Sequence, residues 1–276
     1  MKLKKPIMLI LAVLGGLLVL LVIYKVIAVY NDLKIESQNA TENEVRKDFI
    51  NPAAQTVILH LYKDEYDTAT KELQNHPEVL SEKSVEGSSI LSYIIWKRAN
   101  PEDVRVLLAA GADPSFPEGH APISSAAENA GVEIVKMLLE AGADPNGKSG
   151  SEPALWRAAL RGNIEMMELL ISNGADMDAG NGGGESPMAN AAQIDHFKAV
   201  LYLLEKGASP FIADYQGYTV GTWVLESRIH PETEEGKARP RVIEVLKEKG
   251  YPWPPPDGDA VLEMQKNGEW PPKNAQ

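Results

Sequence analysis

The chain contains no cysteine in 276 residues. Disulfide staples, thiolate nucleophiles, cysteine-based zinc sites and an acylated-cysteine anchor are therefore excluded. Aromatic residues are sparse, at four Phe, nine Tyr and five Trp. The histidines, His60, His76, His120, His196 and His230, are too far apart for metal-ligand spacing, and no His-Glu-x-x-His occurs. Positive charge is also short, with 27 Lys and Arg against 39 Asp and Glu. Residues 1–30 hold four lysines and no acid, so the remainder carries 23 basic and 39 acidic side chains. A body this acidic repels phosphate backbones, which argues against nucleic acid and favours a basic partner. There is no Gly-x-Ser-x-Gly elbow. The glycine-rich run from Gly180 to Gly184 lacks a following Gly-Lys-Ser/Thr and reads as a hairpin tip. No nucleophile, base and orienting group can be assembled. The expectation is a non-enzyme with no catalytic residues, metal, cofactor or small-molecule substrate.

What is present begins with an apolar run. Ile7 to Ile23 gives 17 residues without a charge, and apolar Val26 to Val29 follows Tyr24 and Lys25. As a helix, residues 7–30 would measure about 36 Å, enough for a hydrocarbon core of about 30 Å. Tyr24 and Tyr30 suit the interfacial belt, and Lys25 can snorkel. Lys2, Lys4 and Lys5 precede the run, so the N-terminus is expected in the cytoplasm and the body beyond the membrane. A cleaved leader would have a shorter apolar run and end at small residues. This one is long and ends in bulky Val29-Tyr30, which favours an uncleaved signal anchor over residues 1–30. Residues 31–52 are polar, end in Asn51-Pro52, and read as a linker.

From about residue 86 the chain repeats itself. Gly111-Ala112-Asp113, Gly142-Ala143-Asp144, Gly174-Ala175-Asp176 and Gly207-Ala208-Ser209 recur at intervals of 31, 32 and 33 residues. Leu107-Leu108, Leu138-Leu139, Leu169-Leu170 and Leu203-Leu204 precede them. Further upstream stand Pro122, Pro153 and Pro187, followed by Ala126-Ala127, Ala158-Ala159 and Ala191-Ala192. A proline in the first helical turn gives up no needed N–H, an alanine pair keeps a helix thin, and glycine ends the next helix in the left-handed conformation. Apolar spacing over residues 54–85 suggests two degraded helices of a cap. The interval from Gly207 to Gly250 is 43 residues, and Arg228 to Pro240, polar and proline-bracketed, is expected to be an inserted loop. The tail from residue 253 to 276 is expected to seal the last unit, because Trp253 and Trp270 would otherwise sit in water.

These recurring types resemble the ankyrin repeat, clearly over residues 86–211. The resemblance implies an all-α solenoid over residues 53–252. Its units are 53–85 (N-cap), 86–115, 116–146, 147–178, 179–211 and an enlarged 212–252. It also implies a protein partner, held by the hairpin tips and the exposed face of the inner helices. Aligning the repeats puts Trp96, Lys97, Glu118, His120, Glu128, Asn129, Glu152, Leu160, Arg161, Glu185, Gln193, Ile194, Tyr218 and Glu226 on that face. His196 falls at a turn and is expected to be structural. With the apolar run, the whole resembles bacterial membrane-anchored periplasmic ankyrin proteins: a single-pass inner-membrane protein with its repeats in the periplasm. Some proteins of this shape are immunity proteins that block a secreted toxin such as a type VI secretion effector. A periplasmic scaffold or regulator of an envelope enzyme is the alternative.

Overall fold

The computed structural model describes residues 41–116, 119–273 and 275. The expected membrane span over residues 7–30 lies outside these. Among the described residues, no helix is long and apolar enough to cross a membrane.

The described chain begins with a helix over residues 41–48, α1. Helices then follow in antiparallel pairs: α2 (Pro52–Tyr62) with α3 (Tyr66–Asn75), α4 (Ile90–Lys97) with α5 (Pro101–Ala109), and α6 (Pro122–Asn129) with α7 (Val132–Glu140). Next come α8 (Ala154–Leu160) with α9 (Ile164–Ser172), α10 (Pro187–Gln193) with α11 (Phe197–Lys206), and α12 (Val220–Glu226) with α13 (Glu234–Glu248). Helix α14 (Gly258–Lys266) closes the array. Among the described residues the strand content is one antiparallel hairpin, with Lys148 opposite Pro153 and Ser149 opposite Glu152. Helix starts are written in the side chains: Asn51, Ser89, Asn100, Asn163 and Ser186 each accept from a backbone N–H of the first turn.

The alanine pairs Ala126-Ala127, Ala158-Ala159 and Ala191-Ala192 are buried between neighbouring inner helices. Leu107, Leu138, Leu170 and Leu203, each four residues before a repeat glycine, are fully buried. Each such side chain contributes about 1.5–3 kcal/mol of burial. The glycines that follow adopt φ between 93° and 97°, the left-handed region that a Cβ disfavours.

The loops carry a ladder of their own. Asp113, Asp144 and Asp176 each accept from the backbone N–H two residues on, at 2.9 Å. The next side chain in register reaches the following unit. Ser115 Oγ accepts from Asp144 N at 3.1 Å, Asn146 Oδ1 from Asp176 N at 2.8 Å, and Asp178 Oδ1 from Ser209 N at 2.8 Å. Repeat spacing is thus fixed by side chain to backbone bonds as well as by packing.

Two expectations are corrected. The linker over 31–52 does not hold for its second half: Val45 and Phe49 are fully buried. Phe49 meets Tyr93 edge-on at 5.1 Å, and Val85 N donates to Asp48 O at 2.8 Å. Two apolar side chains one turn apart and that backbone bond dock α1 against α4 and the residue before its hairpin. The insertion Arg228–Pro240 is a loop only as far as Thr233. Thr233 caps α13, and Glu234 and Glu235 sit in its positive first turn. Arg239 donates to Val224 O and Leu225 O at 2.9 and 3.1 Å, tying that turn to the end of α12. Pro240 stands inside the helix. The tip over 180–184 is ordered by Asn181, whose Oδ1 accepts from Gly183 N and Glu185 N at 2.9 and 3.1 Å.

At the far end the tail does seal the stack. Trp270 is 8% exposed, its Nε1 donates to Phe211 O at 2.8 Å, and its ring meets Phe211 and Tyr251 edge-on. Trp253 is partly buried against the same core.

One buried charge makes stability depend on pH. Asp103 is fully buried in the first turn of α5, and its Oδ2 lies 3.2 Å from Arg98 Nη1. Burial pushes its carboxyl up to about 6; Arg98 pulls it down, while Asp64 and Glu102 push it further up. The fold therefore favours the neutral acid. The stabilisation is complete below the unfolded pKa near 4 and is lost as pH rises to about 6. Asp103→Asn should consequently gain stability over wild type as pH rises from 4 to 7, by on the order of 2 kcal/mol. Arg98 keeps Asp64 and the Leu61 carbonyl as partners in that variant. Thermal midpoints of both proteins across that range test this; parallel curves would exclude Asp103 as the source.

Candidate functional site

The inner helices and hairpins line one concave face. Counting back four residues from the residue that opens each outer helix gives Trp96, Ala127, Ala159 and Ala192. The three alanines are buried, whereas Trp96 is 54% exposed. An indole does not fit where its sister repeats place a methyl group, so it emerges into the groove. Lys97 lies 4.2 Å over that ring and pairs with Glu44 of α1. The lysine expected on the partner face is therefore drawn toward α1.

Between the second and fourth units the face deepens into a groove of about 480 Å³. Trp96, His120, Glu128, Glu152 and Leu160 line it, together with Glu86, Trp156 and Arg157. His120 engages Ser149 of the next hairpin through Nδ1, and its carbonyl accepts from Ser92 Oγ of α4, which ties its hairpin to both neighbours. Arg157 lies between two carboxylates: its guanidinium pairs with Glu128 of the preceding unit and, at 2.8 Å, with Glu152 of its own hairpin. Arg161 Nη2 reaches the other oxygen of Glu128 at 3.4 Å. Burial, then the nearby Arg161 charge, lowers the pKa of Arg157. These ion pairs form a polar wall in the groove that Trp96 also lines.

Two further hollows continue the face. One, of about 330 Å³, is lined by Glu185, Gln193 and Tyr218 with Asp214, Tyr215 and Trp223. The other, of about 380 Å³, takes in Tyr218 and Glu226 and runs to Asp257 and Asp259 beside α14. Glu185 is half-buried. Burial and the nearby Asp214 raise its pKa, and Trp156 and Asn181 lower it.

The remaining candidates are dispersed. Asn129 and Ile194 are exposed at the ends of α6 and α10, outside the three hollows. Arg161 reaches the wall only through Glu128. Glu118 lies outside the described residues. His196 packs its ring over Gly162, where an added Cβ would come within 2.9 Å, so its place is structural. Sequence reasoning missed Trp156, Arg157, Tyr215 and Trp223. Counting back from the outer-helix start would have found two of them. Arg157 takes the place held by Ile94, Ser125 and Asn190, and Trp156 the place of Tyr93, Ser124 and Ala189.

Residues 123–214 match the family model described as ankyrin repeats (3 copies). That segment carries ankyrin repeats, and such repeats make a protein–protein interaction module. No curated protein matches the chain.

Proposed function

We propose that this chain is a membrane-tethered module that binds a basic protein outside the cytoplasm, without catalysis of its own. The observation that carries the binding reading is the concave face. It presents carboxylates from successive hairpins around an indole that its own repeat pattern would have buried. Aromatic anchors beside charged rims are the usual make-up of a strong interface, and the carboxylates steer a basic partner. The tether rests on the charge-free run from Ile7 to Ile23 and the lysines before it. In its sharper form the partner is a secreted toxin and the protein its immunity factor. The groove's lining of three glutamates against one arginine, a balance that suits a basic cleft, supports that form.

Capture from membrane extracts tests the reading. Wild type should retain a protein above background, and Trp96→Ala should weaken capture by roughly tenfold or more. The thermal midpoint should stay within about a degree, because the side chain is mostly in water. No captured protein, or equal capture by both, sinks the role of this face. A deletion strain no more sensitive to attack by siblings removes the toxin form. A mature protein lighter by about 3 kDa refutes the uncleaved anchor.

A further inference from the structure

Glu152 and Glu185 hold equivalent places in successive repeats, each eleven residues before the residue that opens the outer helix, Asn163 and His196. Five residues after each stand Arg157 and Asn190. In the first of these repeats the arginine closes on its own hairpin carboxylate, with Nη2 2.8 Å from Glu152 Oε2. In the second the asparagine turns away and donates to the Trp156 carbonyl at 3.2 Å. Glu185 accepts from the Asn181 amide at 3.3 Å. Asp214, on the following hairpin, accepts from the backbone N–H groups of Gln216 and Tyr218 at 2.8 and 2.9 Å. Among the described residues, neither carboxylate pairs with a lysine or arginine.

Both carboxylates line the hollow of about 330 Å³. Tyr218 and Trp223 line it too, their rings 5.4 Å apart and inclined at 67°, and Tyr215, 76% exposed, stands at its mouth. Aromatic faces beside paired carboxylates suit a planar cation, which can stack on a ring and bond to two acids at once. A guanidinium does both, whereas an ammonium is a hydrated point charge with no plane to stack. The repeat itself shows which group its hairpin glutamate takes: one unit earlier that group is the chain's own arginine.

We propose that this hollow receives an arginine side chain of the protein partner, its guanidinium held between Glu185 and Asp214 and against Tyr218 and Trp223. The two carboxylates that line this hollow would then share a counter-charge, as Glu128 and Glu152 share Arg157. The proposal rests on the protein-binding reading above and adds the residue that the partner must present.

The test uses the full chain in mild detergent, titrated with N-acetyl-arginine amide and followed through the Trp223 indole N–H resonance. N-acetyl-lysine amide and the uncharged N-acetyl-citrulline amide serve as comparison probes. A saturable shift is expected with the arginine probe at millimolar concentration. It should be several-fold weaker with lysine and absent with citrulline. Glu185→Gln and Asp214→Asn should each weaken arginine binding by about tenfold or more, with an unchanged circular dichroism spectrum. No saturable shift, equal response to citrulline, or unaltered affinity in well-folded Glu185→Gln overturns the proposal. Protein capture separates the two levels. A partner held equally by wild type and both variants leaves protein binding standing and removes the arginine. An arginine probe that binds while no protein is captured does the reverse.

Discussion

Trp270→Ala should cost about 3–5 kcal/mol, the loss expected for truncating a large buried aromatic side chain. The change removes two edge-on ring contacts, with Phe211 at 5.7 Å and Tyr251 at 5.8 Å. It also leaves the Phe211 carbonyl without its indole donor in a buried site. The loss should be local. A repeat array is stabilised unit by unit, so the end next to the lesion opens first. Hydrogen exchange should show early opening of α12, α13 and α14, with the amides of α6 to α9 protected almost as in wild type. Uniform loss of protection along the array would show that the tail holds the whole stack. An unchanged midpoint would show that it holds nothing.

Arg157→Ala should cost about 2–3 kcal/mol, somewhat below the range for removing one partner of a fully buried ion pair. Among the described residues its guanidinium is the only group that both Glu128 and Glu152 share, and its side chain is 15% exposed. Without it, two carboxylates on adjacent units face each other at neutral pH. Glu128→Gln added to Arg157→Ala should recover part of the loss, because it removes one of the facing charges. A double-mutant cycle of denaturant unfolding measures this directly. Additive penalties would mean that the three side chains do not act together. Arg157→Lys should recover little, since an ammonium cannot address both acids in the fixed planar geometry of the guanidinium.

The difference between these two sites explains what could be read before any coordinates. The stack itself was legible, because its rules are periodic. A left-handed glycine is needed after every outer helix, a thin alanine pair in every inner one, and a buried leucine four residues before each glycine. Such demands recur in phase and stand out against a varied background. Trp270 was legible for another reason: an indole in a proline-rich tail must either find cover or lie in water. Features that occur once had no such signal. The apolar part of the docking of α1 is Val45 and Phe49, too few to show a period. The first half of α13 was hidden by Pro240, which marks a helix break in most sequences but here follows a turn already tied down by Arg239. Arg157 read as an ordinary surface cation, and nothing local says that its two partners come from different units.

The exposed candidates were legible only as positions. Alignment places Lys97 and Glu128 at the same step of successive repeats, yet one turns to Glu44 and the other to Arg157 and Arg161. Which way a long side chain leans is settled by the charges around it in space. A repeat register records the step and omits those neighbours.

The docking of α1 also governs reach. If the proposed span ends at Tyr30, the ten residues 31–40 set the longest leash between it and residue 41, where the described chain starts. Fully extended, ten residues cover at most about 35 Å. The array would then sweep a thin shell next to the bilayer, and a partner drifting deeper in the compartment would have to come to the membrane to be caught. Lengthening that leash with a flexible insert enlarges the swept volume without touching the groove. Its effect on capture in cells reads out where the partner travels.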